Sequence, residues 1–224
     1  MKKVFHLVLG SGSPRRKELL GHIGLNFDVV SLDVDESIDE SLNLTPKEVV
    51  EDLSKRKLIA AKNWWEQSDF KDYGLRPFLI TSDTLVNLGD EILGKPTSRD
   101  HAREMLQKML GQTHKVFTGV GGAWKDENGD WQEFLFSDLA LVTFSDLDDH
   151  GLESYLASEE PYDKAGSYGI QGAALSFIEK LEGSYSTVMG LPLSLTRKKI
   201  EEVVRSTLGE SLQVSDDWRK VFKS

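Results

Sequence analysis

Ser11-Gly12-Ser13-Pro14-Arg15-Arg16 sets two hydroxyls beside two guanidinium groups. The apolar run Val4–Leu9 precedes it, and a helical stretch through Leu19 and Leu20 follows. That order predicts strand, turn and helix. Ser13 can cap the helix and Pro14 is pre-set for its first turn. The free N–H groups and the positive dipole end would then face outward, as a phosphate needs. The forked donors of Arg15 and Arg16 match phosphate oxygens. An ordinary capped helix with two solvated arginines would read the same way.

Further along, single residues stand out against their surroundings. Lys57 falls four after Leu53 and seven after Val50, on the apolar stripe of a predicted helix. It either snorkels to water or points into a cleft toward an anion. Asp83 follows Phe78-Leu79-Ile80 at an expected strand end, with Thr84 beside it. A carboxylate so near the core needs a partner, a metal or a chemical task, unless it only caps a turn. Glu36 closes the acidic run Asp33-Val34-Asp35-Glu36, which is either a solvated loop or an oxygen ligand for a hard cation. Gly94-Lys95-Pro96 holds Lys95 in a constrained turn. Asp163 to Gly172 is glycine-rich and contains Gln171, whose amide can both donate and accept, as base-edge reading requires. Basic groups, acidic groups and an amide reader together are what triphosphate cleavage needs.

The elements that must position these residues alternate between strands and helices, which predicts an α/β fold. Thr45-Pro46-Lys47-Glu48 is a capping box opening a helix to about Trp65. A strand is expected at Phe78–Ile80, a hairpin turn at Gly89-Asp90, and a helix over about Ser98–Leu110 ending at Gly111. Strands at Lys115–Val120 and Trp131–Phe144 flank a turn at Asp126–Asp130. A short helix over Leu147–Ser158, a late strand at Leu175–Leu181 and a last helix over Leu193–Leu208 follow. The tail around Trp218 is open: frayed, or a short packed helix.

Bulk properties narrow the function. The chain has 224 residues and no cysteine, which removes disulfides, thiolate catalysis and cysteine zinc sites. Net charge is −10, so polymeric nucleic acid is not an expected partner, while a phosphorylated small molecule is compatible with a local basic cluster. No apolar run approaches a membrane span, and with no export signal the expected compartment is the cytoplasm.

Taken in order, the motifs resemble those of the Maf-like nucleotide pyrophosphatases from about Phe5 to Leu195. They are Ser11–Arg16 with Lys-Glu-Leu-Leu after it, Asp35–Ser37, Leu53–Lys57, Ser82-Asp83-Thr84, Gly94–Pro96, Gly111–Val120, Asp163–Gly172 and Val188–Leu193. Gly10 and Ser82 stand where the family has alanine, and Leu58 where it has a small residue. The resemblance implies a curved mixed sheet with flanking helices and two lobes around a cleft. It implies a single two-lobed domain over residues 1–197, residues 198–224 being a helix end and tail of unknown role, and a homodimer.

It also implies roles. Asp83 would be the general base on water, and Glu36 with Asp83 would hold a divalent cation, Mg²⁺ or Mn²⁺. Arg15, Arg16, Lys57 and Lys95 would bind phosphates, supported by Ser11 and Ser13. Arg15, Thr84 and Gln171 fall at specificity positions. Lys164-Ala165-Gly166 through Gln171-Gly172 looks like the branch acting on dTTP and UTP rather than the sister branch acting on 7-methyl-GTP. Two rivals stay open: a pyrophosphatase acting on 7-methyl-GTP or on modified pyrimidine nucleotides, and a non-catalytic nucleotide-binding regulator of cell division.

Overall fold

The computed structural model describes residues 3–70, 74–209, 212–213 and 215–223. Residues 1–2, residues 71–73 and the remaining tail positions lie outside them, and the expected strand Val4–Leu9 lies within them. One sheet of seven strands runs through the molecule: β1 (Phe5–Gly10), β2 (Asp28–Val30), β3 (Arg76–Leu88), β4 (Glu91–Leu93), β5 (Thr113–Lys125), β6 (Trp131–Phe144) and β7 (Ile178–Glu182). Their order is β2-β1-β3-β5-β6-β7, with β4 on β3. β1 is parallel to β2 and β3; all the other pairings are antiparallel. The fold is therefore an open, mixed α/β sheet.

The helices are α1 (Pro14–Gly21), α2 (Pro46–Gln67), α3 (Arg99–Met109), α4 (Asp149–Leu156), α5 (Tyr185–Val188) and α6 (Leu193–Leu208). None is long and apolar enough to cross a membrane among the described residues. The expected capping box opens α2: Thr45 accepts from the Glu48 N–H, and the Glu48 carboxylate accepts from the Thr45 N–H at 2.8 Å. Gly89 and Gly111 take the positive φ expected of a hairpin turn and a helix end.

Side-chain alternation along β3 divides the core. Phe78 and Ile80 face α1 and α6, where they join Leu20, Leu191 and Ile200. Leu79 faces the other way, against Leu58 and Trp65 of α2. The far halves of β5 and β6 pack with α3 and α4 as a second lobe, through Leu106, Val116, Phe144 and Leu156.

Several boundaries differ from the sequence reading; β5, for one, runs on to Lys125 rather than ending at Val120. β3 does not end before Asp83, because antiparallel pairing with β5 holds it from Phe78↔Trp124 to Asn87↔Lys115. Its polar residues stay in the strand because their hydroxyls find carbonyls: Thr81 donates to Ser54 O at 2.9 Å and Ser82 to Gly119 O at 2.8 Å. The late strand starts at Ile178; Ala173–Ser176 form a 3₁₀ turn whose Ala173 N–H donates to the Glu160 carboxylate at 2.7 Å. The tail is packed rather than frayed. Trp218, Val221 and Phe222 are buried in the same core as Phe5, and Val4 N–H donates to Val221 O at 2.7 Å. α6 runs across position 197, so helix and tail share the core of the residues before it.

Candidate active site

The sheet creates its own cleft. β1 pairs with β3 only as far as Leu9↔Ile80, and β4 takes up the same edge at Val86↔Leu93. Between these points no strand covers that edge of β3 among the described residues. Ligands gather where parallel strands end in open α/β sheets, and here that place is the carboxyl end of β1 alongside the middle of β3. The cleft there has a volume of about 720 Å³, within the roughly 300–1,000 Å³ of small-molecule sites.

Asp83 and Thr84 leave β3 on opposite faces. On the α2 face, Asp83 meets the Lys57 ammonium, and both side chains are 11% exposed. Lys57 also reaches Glu36 at 2.6 Å, and Lys95 stands 4.0 Å from the other Glu36 oxygen. One ammonium thus bridges two carboxylates from distant parts of the chain. Of the two readings of Lys57, the cleft-facing one holds. Burial works to raise the Glu36 carboxyl, but the Lys57 hydrogen bond and the charges of Lys57, Lys95 and Arg16 outweigh it and hold Glu36 below its ordinary value.

On the other face, Thr84 meets Arg16. Arg16 is fixed from behind by three acceptors: Nε donates to Gly190 O at 2.9 Å, Nη1 to Ser11 Oγ at 3.2 Å and Nη2 to Thr84 Oγ1 at 3.2 Å. Burial pulls this guanidinium below its usual value while Asp83 opposes the shift, and it remains charged. Ser13 caps α1, its hydroxyl accepting from Arg16 N–H, and Arg15 lines the cleft at the same helix start. Gly190 takes φ +106°, and a Cβ there would lie 3.2 Å from both Arg16 Nε and Thr84 Oγ1. Only glycine allows the chain to pass so close in that conformation.

Ser11, Ser13, Arg15, Arg16, Glu36, Lys57, Asp83, Thr84 and Lys95 therefore all line one cleft. Gln171 does not. It is exposed and stands outside the lining, although Gly169 and Ile170 belong to it. Ser31, Lys164, Tyr168 and Met189 line the cleft too. Their only sequence signal is membership of, or nearness to, the motif blocks.

His114 braces the wall behind Tyr168, Nε2 lying 2.8 Å from the phenol oxygen. Burial pushes His114 down to about 4 from an ordinary 6.5. Unfolded, it takes a proton near 6.5; folded, only near 4. Its contribution to stability is therefore complete above the upper value and is lost as pH falls toward the lower one. Between about pH 7.5 and 5 the expected loss is about 2 kcal/mol. Urea unfolding at both pH values should show this, and His114→Gln should flatten the slope by that amount. The same slope in both proteins would place the pH dependence on other groups.

The fold and the cleft define a mixed-sheet α/β protein with a small-molecule site of both charge signs where its parallel strands end. The Maf-like protein model matches residues 6–203, and the chain belongs to that family. It is 39% identical over 199 residues to a dTTP/UTP pyrophosphatase of Lachnoclostridium phytofermentans, covering 89% of this chain and 95% of the relative. A dTTP/UTP pyrophosphatase of Bacillus thuringiensis subsp. konkukian is 37% identical over 196 residues, covering 88% and 94%. Among solved structures, a nucleoside-triphosphatase / dITP/XTP pyrophosphatase from Mycobacterium abscessus matches 94% of this chain and all of its own, at 12% identity and a TM-score of 0.31. A likeness that low adds nothing to the fold read from the strands.

Proposed function

We propose that this protein hydrolyses dTTP and UTP between the α- and β-phosphates, releasing the monophosphate and pyrophosphate. The observation that carries the reading is the Glu36–Lys57–Asp83 bridge opposite the triply anchored Arg16, within one cleft. Similarity to two dTTP/UTP pyrophosphatases over most of the chain supports the substrate.

The donor set suits a divalent cation that arrives with the nucleotide. Among the described residues no group of three or more His, Cys, Asp or Glu side chains forms a closed metal cage. Mg²⁺ commonly takes one or two carboxylates and completes its shell with water and substrate phosphates. Glu36 and Asp83, held at one ammonium, offer such a pair. Mg²⁺ or Mn²⁺ bound there supplies positive charge against the phosphate oxygens. Arg15, Arg16, Lys57 and Lys95 bind the phosphates, and Ser11 keeps Arg16 aimed. Asp83 orients a water and takes its proton during in-line attack on the α-phosphorus. Thr84 and Arg15 read the nucleotide from the cleft lining, and Gln171 serves specificity from outside it. A cytoplasmic homodimer completes the reading, and sedimentation of the purified chain tests the dimer.

The deciding assay is pyrophosphate release with Mg²⁺ or Mn²⁺ from dTTP, UTP, CTP, GTP, 7-methyl-GTP and ATP. dTTP and UTP are expected to lead, with activity lost in excess EDTA. A lead for 7-methyl-GTP would overturn the substrate, and no release from any nucleotide would leave a binding protein.

A further inference from the structure

We infer that Thr118, buried behind the cleft, fixes which way the Thr84 hydroxyl points, and so makes Thr84 a reader of hydrogen-bond donors on the ligand. The inference rests on the pyrimidine triphosphate reading above and adds the group that sets its base discrimination.

A threonine hydroxyl has one proton and two lone pairs. Thr118 Oγ1 donates to the backbone carbonyl of Thr187 at 2.7 Å. A carbonyl only accepts, so the single Thr118 proton is committed there. Thr84 Oγ1 and Thr118 Oγ1 lie 2.9 Å apart. Thr118 has no second proton, so in this contact Thr84 must donate. Arg16 Nη2 donates to Thr84 at 3.2 Å and occupies one lone pair. What Thr84 has left for the cleft is the other lone pair.

The far end of the chain is also held. Thr118 and Thr187 are both 0% exposed, and Thr187 Oγ1 donates to the Asp138 carboxylate on β6. The α5 turn that presents the Thr187 carbonyl is thereby pinned to the sheet. Without solvent to offer alternative partners, the direction of each proton is set by the acceptor-only groups at Thr187 and Asp138.

Thr84 lines the cleft and is half-buried. A ligand atom that meets it must bring a proton. Uracil and thymine carry N–H at ring position 3, where cytosine carries a bare nitrogen that can only accept. With ring position 3 facing Thr84, the first pair gains a hydrogen bond and cytosine sets one lone pair against another. Thr118 is thus a positioning residue: it touches no substrate and acts through Thr84.

The test measures kcat/KM for pyrophosphate release from UTP and CTP with Mg²⁺. Thr118→Val keeps the shape but removes the acceptor, freeing the Thr84 proton to turn toward the cleft. The UTP-to-CTP ratio should fall at least about tenfold, chiefly through gain on CTP, because a mismatched buried polar pair costs that much or more. Thr118→Ser keeps the hydroxyl and should restore the wild-type ratio within about twofold. An equal loss on both nucleotides, or an unchanged ratio in a folded Thr118→Val protein, overturns the proposal. If Thr118→Val does not fold, Thr84→Val poses the same question from the cleft side, and a preserved ratio there also overturns it. If the wild type releases no pyrophosphate at all, the pyrophosphatase reading falls. Calorimetry of UMP against CMP on wild type and Thr118→Ser, Thr118→Val or Thr84→Val then decides the role of Thr118 separately.

Discussion

Replacing Asp83 with Asn is expected to lower kcat for pyrophosphate release from UTP by at least about 100-fold, the lower end of general-base effects. Asn keeps the size of the side chain and its place on β3, so packing should survive. Lys57 loses one anionic partner but keeps Glu36 at 2.6 Å, so its charge is not stranded. Thermal unfolding should therefore stay close to wild type while turnover collapses. Because Asp83 would act on the water and through the cation, the loss should fall on kcat more than on KM. A folded Asp83→Asn protein with near-full activity would mean that another group activates the water.

Gly119→Val is expected to lower both stability and activity, through one steric contact. Gly119 pairs with Asp83 across β3 and β5. A Cβ at that position would sit 2.5 Å from the Val50 carbonyl oxygen and 2.7 Å from Ser54 Oγ. Both belong to α2, whose backbone rests directly on the bare strand there. Even Gly119→Ala must lift the helix, and Val must lift it further. Overpacking of this kind costs about 1–3 kcal/mol, occasionally more. Lys57 lies one turn beyond Ser54 on the same helix, so the ammonium moves away from Asp83 as α2 rises. A displacement of about 1 Å in a positioning group can cost roughly 100-fold in rate. Gly21→Ala serves as the comparison, since a Cβ there meets nothing within 4 Å, and it should unfold like wild type. A Gly119→Ala protein with wild-type unfolding and activity would show that α2 tolerates the displacement.

Local chemistry was legible where the deciding partner lay a few residues away. Thr45 and Glu48 close their capping box inside a single turn, so the start of α2 could be read directly. Gly89 and Gly111 mark positive-φ positions that other residues adopt only at a cost, and both ends follow. Where the partner was remote, local reading failed. Thr81-Ser82-Asp83-Thr84 looks like the polar end of a strand. It stays a strand because Ser54, Gly119, Gly190 and Lys57 satisfy its side chains from α2, β5 and the turn before α6. Trp218 could not be placed from a polar tail, because what buries it is the hydrophobic surface around Phe5 more than two hundred residues earlier.

By itself the sequence determined the α/β class, the capped starts of α1 and α2, the hairpin at Gly89, and the family through its ordered motifs. These rest on short-range periodicity, capping and turn chemistry, or on residue identity alone. Only the tertiary structure decided that nine of the singled-out residues share one cleft while Gln171 stands outside it. It also decided that Lys57 turns inward to two carboxylates, and that Thr118 lies between the Thr84 hydroxyl and the Thr187 carbonyl. The physical reason is that charge pairing and hydrogen-bond direction depend on which atoms lie within about 3 Å. In a sheet whose order is not the chain order, sequence distance says nothing about that.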